Sequence, residues 1–175
     1  MAVNKAFHLK AWIDENRHLL KPPVGNKMIY TDNKDFIVMV VGGPNSRKDY
    51  HLEDGEELFY QLEGDIVVKT IQDGNNVDIA IQEGEMFLLP ANIPHSPQRG
   101  PNTIGLVIER NRAEKEIDSC LWFCEKCAAQ LHEAKFHLKD IVTQLPKVMD
   151  SFYNDLSLRT CKKCGTVMEP PAKLA

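Results

Sequence analysis

Between Asn26 and Glu109 the chain breaks into seven short runs rich in branched and aromatic residues, and that punctuation confines it to a mainly β fold. The runs are Lys27–Tyr30, Phe36–Val41, Leu58–Leu62, Ile66–Ile71, Val77–Ile81, Met86–Leu89 and Ile104–Ile108. Between them lie Gly42-Gly43-Pro44-Asn45, Glu63-Gly64-Asp65, Asp73-Gly74-Asn75-Asn76 and Glu83-Gly84-Glu85. Glycine and asparagine accept the backbone conformations of tight turns, so consecutive strands are expected to double back on one another. Many short strands joined in this way hide their edges best in a double-sheet, jelly-roll barrel.

Helical periodicity brackets this region. Leu9, Trp12, Ile13 and Leu20 repeat near 3.6 residues before Lys21-Pro22-Pro23 stops the pattern. Leu145, Val148, Met149, Phe152 and Leu156 form a second stripe, read as helix packing on the barrel. Two units are expected: residues 1–112 as helix and barrel, and 113–175 as a smaller extension.

The 175 residues are enough for one sizeable core plus that extension. A net charge of −4 argues against nucleic-acid binding, which needs a basic face to displace counterions. No window reaches the eighteen or so apolar residues of a membrane span, and Met1–Lys10 carries no secretory pattern, so the cytoplasm is the expected location.

Two segments carry the chemistry. In the first, Gly43 is followed by Asp49-Tyr50-His51, then Glu57 and Gly64; in the second, Gly84 is followed by Pro90, His95 and Arg99. Residues two apart on a strand share a face. Arg47, Asp49 and His51 therefore point one way if that stretch is extended; Glu57 pairs with Phe59, and His95 with Pro97 and Arg99. Each histidine thus has an arginine four residues away on its own side. Two imidazoles and one carboxylate leave coordination positions open, the ligand set of non-haem ferrous oxygenases. Fe(II) with one carboxylate keeps a net positive charge, and Arg47 and Arg99 add to it, so the pocket should attract an anion. Arginine's planar fork suits a carboxylate in particular. Glu109, ending the last run, is placed to orient an amine or hydroxyl or to move a proton; in the plainer structural reading it pairs with Arg110 or Arg112. His8, His18, His132 and His137 lack such spacing and are read as ordinary surface or core residues.

Five cysteines fall in the last third. Cys124 and Cys127 form one CxxC pair, Cys161 and Cys164 another, with thirty-three residues between the pairs. Four thiolates in two knuckles point to tetrahedral iron or zinc rather than disulfides. All four positions are then filled by protein, which implies a structural role. Cys120 is left over as an unliganded cysteine.

The two His/Glu blocks resemble the conserved motifs of the cupin superfamily, although many cupins carry histidine where this chain has Asp49. Narrower strings extend the likeness over nearly the whole chain: Leu20-Lys21-Pro22-Pro23-Val24-Gly25-Asn26, Val40-Val41-Gly42-Gly43-Pro44-Asn45, His95-Ser96-Pro97-Gln98-Arg99, Val107-Ile108-Glu109-Arg110 and the CxxC pairs. Together they resemble the short, single-cupin 3-hydroxyanthranilate 3,4-dioxygenase family. The resemblance implies one cupin barrel with flanking helices and a small C-terminal extension that binds metal through four cysteines. It also implies ring opening of 3-hydroxyanthranilate by O2 to 2-amino-3-carboxymuconate semialdehyde, the precursor of quinolinate and NAD. Carried over by position, His51, Glu57 and His95 hold Fe(II), Arg99 grips the substrate carboxylate, and Arg47 lies near oxygen and carboxylate. Glu109 bonds the ring substituents, while Phe59, Val24, Asn26 and Pro97 are candidate pocket walls. The four-cysteine site is expected to hold a rubredoxin-like iron or a zinc, and the chain to form a homodimer. Two other classes stay open on the residues alone. One is a different metal-dependent cupin, such as a sugar isomerase or thiol dioxygenase; the other is a non-catalytic cupin sensor with a zinc ribbon.

Overall fold

The computed structural model describes residues 5–22, 25–31 and 35–171. Eleven strands and three α-helices are named among them. In chain order these are α1 (Leu9–Asn16), β1 (Asn26–Met28), β2 (Phe36–Gly42), β3 (Asp49–Leu52), β4 (Glu57–Glu63), β5 (Ile66–Gln72) and β6 (Asn75–Ile81). They continue with β7 (Met86–Leu89), β8 (His95–Arg99), β9 (Ile104–Arg110), β10 (Asp118–Phe123), β11 (Gln130–Phe136), α2 (Ile141–Tyr153) and α3 (Leu156–Arg159). All strand pairs are antiparallel and form two sheets, β1-β2-β9-β4-β7 and β11-β10-β3-β8-β5-β6. This is the double-sheet, jelly-roll arrangement that the turn pattern implied.

The seven runs coincide with β1, β2, β4, β5, β6, β7 and β9 to within a residue or two. The strands they do not cover are β3, β8, β10 and β11. The first two are short and carry Asp, His and Arg, which mask a β signal. In β10 the segment Cys120-Leu121-Trp122-Phe123 runs straight into the first knuckle, so its apolar character merges with the cysteine motif. β10 pairs with β3 in register Cys120 to His51, so residues beyond 112 supply a wall of the barrel.

Side chains that face inward from both sheets build the core: Met39 from β2, Phe59 from β4, Val68 from β5 and Val107 from β9. Trp122 lies under α2, its ring stacked on Phe152 at 4.2 Å and on His132 at 5.8 Å, so His132 is an aromatic spacer. Cys120 is fully buried, and burial pushes its thiol up to about 12, the state of an inert core residue. On the other side of the barrel, Ile13 and Leu20 pack against Val40 and Ile104. Arg17 fixes that docking through 2.7 and 2.8 Å bonds to Glu63.

The C-terminal stripe differs from its periodicity at one end. α2 stops at Tyr153, Asp155 caps the new helix α3 by accepting from Ser157 N, and Leu156 is left 59% exposed. A strong N-cap overrides a pattern that would otherwise have run on.

Candidate active site

The two sheets contribute different donors, and the inward parity of each strand brings them together. β3 turns Asp49 and His51 inward, β8 turns His95, Pro97 and Arg99, β4 turns Glu57, Phe59 and Gln61, and β9 turns Gly105, Val107 and Glu109. His51 and His95 are a cross-strand pair with ring centroids 5.5 Å apart, and Glu57 faces them from the opposite sheet. One potential ligand atom from each of His51, Glu57 and His95 lies within 4.8 Å of the others, and all three residues are buried. Glu57 Oε2 is 2.8 Å from His95 Nε2. Donors about 2.1 Å from one ion at right angles lie about 3 Å apart, so this spacing fits a shared metal. His95 Nδ1 is 3.0 Å from the Ile93 carbonyl, which calls for the proton on Nδ1 and leaves Nε2 free to ligate.

Around this centre the charges are not balanced evenly. Arg47 makes a two-point contact with Asp49, Nη2 to Oδ2 at 2.6 Å and Nε to Oδ1 at 3.3 Å. Burial works against its charge, but Asp49 outweighs that and holds the guanidinium above its ordinary value. Asp49 is therefore committed to Arg47. Arg99 is different. It is 4% exposed, and among the described residues it has no carboxylate in ion-pair range; its side-chain bond is a 3.3 Å contact to Gln61 Oε1. Burial, with the Arg47 charge nearby, lowers its pKa to about 10 against the opposing pull of Glu57. A buried guanidinium so poorly paired is a standing demand for an anion.

Glu109 lies across the sheet from Glu57. Burial first, and then Glu57, raise its carboxyl to about 7, while Arg112 opposes the rise. Glu109 Oε2 is 2.7 Å from Arg112 Nη2, whereas Arg110 pairs with Glu116. The plain ion pair anticipated for Glu109 thus exists, and the carboxylate still lines the pocket.

Arg47, His51, Glu57, Phe59, His95, Pro97, Arg99, Glu109 and Asn26 all line one cavity. Val24 lies outside the described residues. The family model for 3-hydroxyanthranilic acid dioxygenase matches residues 1–153. The 3-hydroxyanthranilate 3,4-dioxygenase of Xanthomonas euvesicatoria is 54% identical over 169 residues, covering 97% of this chain and 95% of that protein. Proteins of the same name from Jannaschia sp. and Neurospora crassa are 52% and 48% identical, covering 98% and 95% of this chain and 97% and 92% of theirs. The chain belongs to the 3-hydroxyanthranilic acid dioxygenase family.

This family member has further lining residues that its sequence did not reveal. Met39, Val41 and Val107 come from core strands, and Ile141 and Leu145 reach the cavity from one face of α2, where the periodicity suggested packing alone. Asn45 clamps β8: its Oδ1 accepts from Arg99 N at 2.8 Å and its Nδ2 donates to Pro97 O at 2.8 Å. At Gly105 a Cβ would lie 2.8 Å from Gln61 Oε1 and 2.9 Å from Arg99 Nη1, so any side chain there displaces the ends of those two groups. The two Asn45 bonds span 52 and 54 residues, so they leave no local pattern.

A second cluster lies at the C-terminal end. Cys124, Cys127, Cys161 and Cys164 also offer sulfurs within 4.8 Å of one another, with Cys124 and Cys164, and Cys127 and Cys161, at 3.6 Å. Thiolates 2.3 Å from a tetrahedral ion lie about 3.8 Å apart, so the sulfurs fit one metal. The two knuckles are built alike. Ala128 N bonds Cys124 O, Gly165 N bonds Cys161 O, and both Ala128 and Gly165 take positive φ, 56° and 73°.

Proposed function

We propose that this protein opens the ring of 3-hydroxyanthranilate with O2, yielding 2-amino-3-carboxymuconate semialdehyde, and that His51, Glu57 and His95 hold the Fe(II) this requires. Ferrous iron in that position supplies a redox path between an electron-rich aminophenol and dioxygen. The observation that carries the reading is the buried, unpaired Arg99 beside a two-histidine, one-carboxylate centre with open positions. A benzoate carboxylate satisfies that guanidinium with two parallel bonds and directs the neighbouring ring substituents toward the ligand cluster. Arg47, held by Asp49, adds positive potential near the carboxylate and oxygen. Glu109, with its carboxyl near neutrality, bonds the amino and hydroxyl groups and takes up or returns their protons. Phe59, Pro97 and Asn26 form walls of the ring slot, and Val24 is proposed with them. Neutral sugars offer Arg99 nothing of comparable strength, which sets this reading above an isomerase.

The four-cysteine cluster is proposed to hold iron or zinc as a structural element, since four thiolates leave no open position. Met86 and Leu88 expose apolar side chains on the edge strand β7, a surface suited to a homodimer contact. No helix among the described residues is long and apolar enough to cross a membrane.

The test is an order-of-addition experiment. Anaerobic protein receives Fe(II), then 3-hydroxyanthranilate, then air, and the near-ultraviolet absorbance of the semialdehyde should grow only when all three are present. Failure of iron-loaded protein to form that product refutes the dioxygenase reading.

A further inference from the structure

We propose that Asp118 and Arg112 are positioning residues that lock His51 and Glu109 into one rigid unit. His51 Nε2 is 2.8 Å from Asp118 Oδ2. That carboxylate is an acceptor, so the ring proton lies on Nε2 and Nδ1 keeps the lone pair that can bind a metal. His95 does the reverse, spending Nδ1 on the Ile93 carbonyl. The two imidazoles therefore present opposite nitrogens, and only His51 depends on a side chain for its orientation.

Asp118 is itself held by Arg112. Nε donates to Oδ1 at 2.9 Å and to Oδ2 at 3.1 Å, and Nη2 donates to Oδ2 at 2.9 Å. Arg112 Nη1 donates to the Arg110 carbonyl at 2.9 Å, which anchors the fork to the end of β9. The same Nη2 lies 2.7 Å from Glu109 Oε2 and 2.7 Å from Glu53 Oε2. The Arg112, Glu109 and Asp118 side chains are each 1% exposed. One guanidinium thus lies among three buried carboxyl groups, of which Asp118 and Glu109 touch or form the site. Moving it would release the partner of a ligand and the partner of Glu109 together. A lysine in its place has no planar fork with which to hold Asp118 at two points while its charge stays beside Glu109.

This inference rests on His51 and Glu109 belonging to the proposed site, and its first readout needs no substrate. As-isolated protein is challenged with graded chelator, and metal is measured per chain, with the thiolate-bound metal as an internal control for folding. Asp118→Asn should lose the His/Glu metal at a chelator concentration about 10- to 100-fold lower than the parent does, while keeping the thiolate-bound metal. Arg112→Lys should weaken the same site to a smaller degree and lower kcat while leaving the KM for 3-hydroxyanthranilate near the parent value, because Arg99 is untouched. If Asp118→Asn also loses the thiolate-bound metal, the Arg112→Lys comparison decides. Retention of the His/Glu metal within twofold, in Asp118→Asn or in that deciding Arg112→Lys comparison, overturns the inference. A parent that binds no metal at His51, Glu57 and His95 overturns the site assignment itself.

Discussion

Replacing Arg99 with methionine separates substrate binding from folding, because the two depend on this side chain in opposite senses. The guanidinium is buried with one long bond to a neutral amide, and its own pKa is dragged down to about 10. Methionine keeps most of the stem and removes a charge that the folded protein solvates poorly. Thermal stability should therefore hold or rise, within about 1 kcal/mol of the parent. Binding goes the other way. Removing one partner of a buried, hydrogen-bonded charge pair costs about 2–5 kcal/mol. Taking 2–4 kcal/mol at about 1.4 kcal/mol per decade, the KM for 3-hydroxyanthranilate should rise about 30- to 700-fold. Metal at the His/Glu centre should stay at the parent value, whereas His51→Ala should lose that metal and turnover. The assay is steady-state formation of the semialdehyde on iron-loaded protein, with metal analysis and a melting curve on the same preparations. A KM within threefold of the parent, or a KM rise matched by equal loss of iron, would refute the idea that Arg99 is an unpaired anion receptor.

Gly105→Ala should act on the same group from beneath: the new Cβ meets Arg99 and Gln61 under 3.0 Å, so KM should rise about tenfold with about 1–3 kcal/mol of destabilisation in a chemical melt. Cys161→Ser should remove the second metal and several kcal/mol of stability while iron at the His/Glu centre still loads; coupled loss of both metals would contradict independent sites. Ala128→Gly relieves a positive φ of 56° at the first knuckle and should raise stability by up to about 1 kcal/mol, seen as a higher Tm; a lower Tm would mean that the alanine side chain packs usefully there.

How much of this was legible in the sequence follows from the range of the contacts. The shared facing of the His/Glu cluster and its arginines could be read because strand alternation is local: once His95 and Arg99 lie on a strand, their shared face follows from counting, as it does for Glu57 and Phe59. The cysteine knuckles are local too, and Gly165 marks one turn by residue type. Its counterpart Ala128 adopts the same conformation without the marker residue. What escaped depends on partners distant in sequence. Asp118 meets His51 across 67 residues through the pairing of β10 with β3, and β10 itself was hidden within the cysteine segment. Leu145 was read as helix packing, and it does pack, but the surface it packs on is also the wall of the cavity. Arg112 was visible only as a neighbour of Glu109. Its second role requires knowing that residues 109 and 118 converge.

Crystals loaded anaerobically with Fe(II) and 3-hydroxyanthranilate, measured on both sides of the iron absorption edge, would locate both the metal and the bound ring. An anomalous peak is expected within bonding distance of His51, Glu57 and His95, with the ligand carboxylate on Arg99 and its hydroxyl and amino groups toward the peak. No iron peak at those three residues, whatever the four cysteines hold, or a carboxylate turned away from Arg99, would refute the assignment.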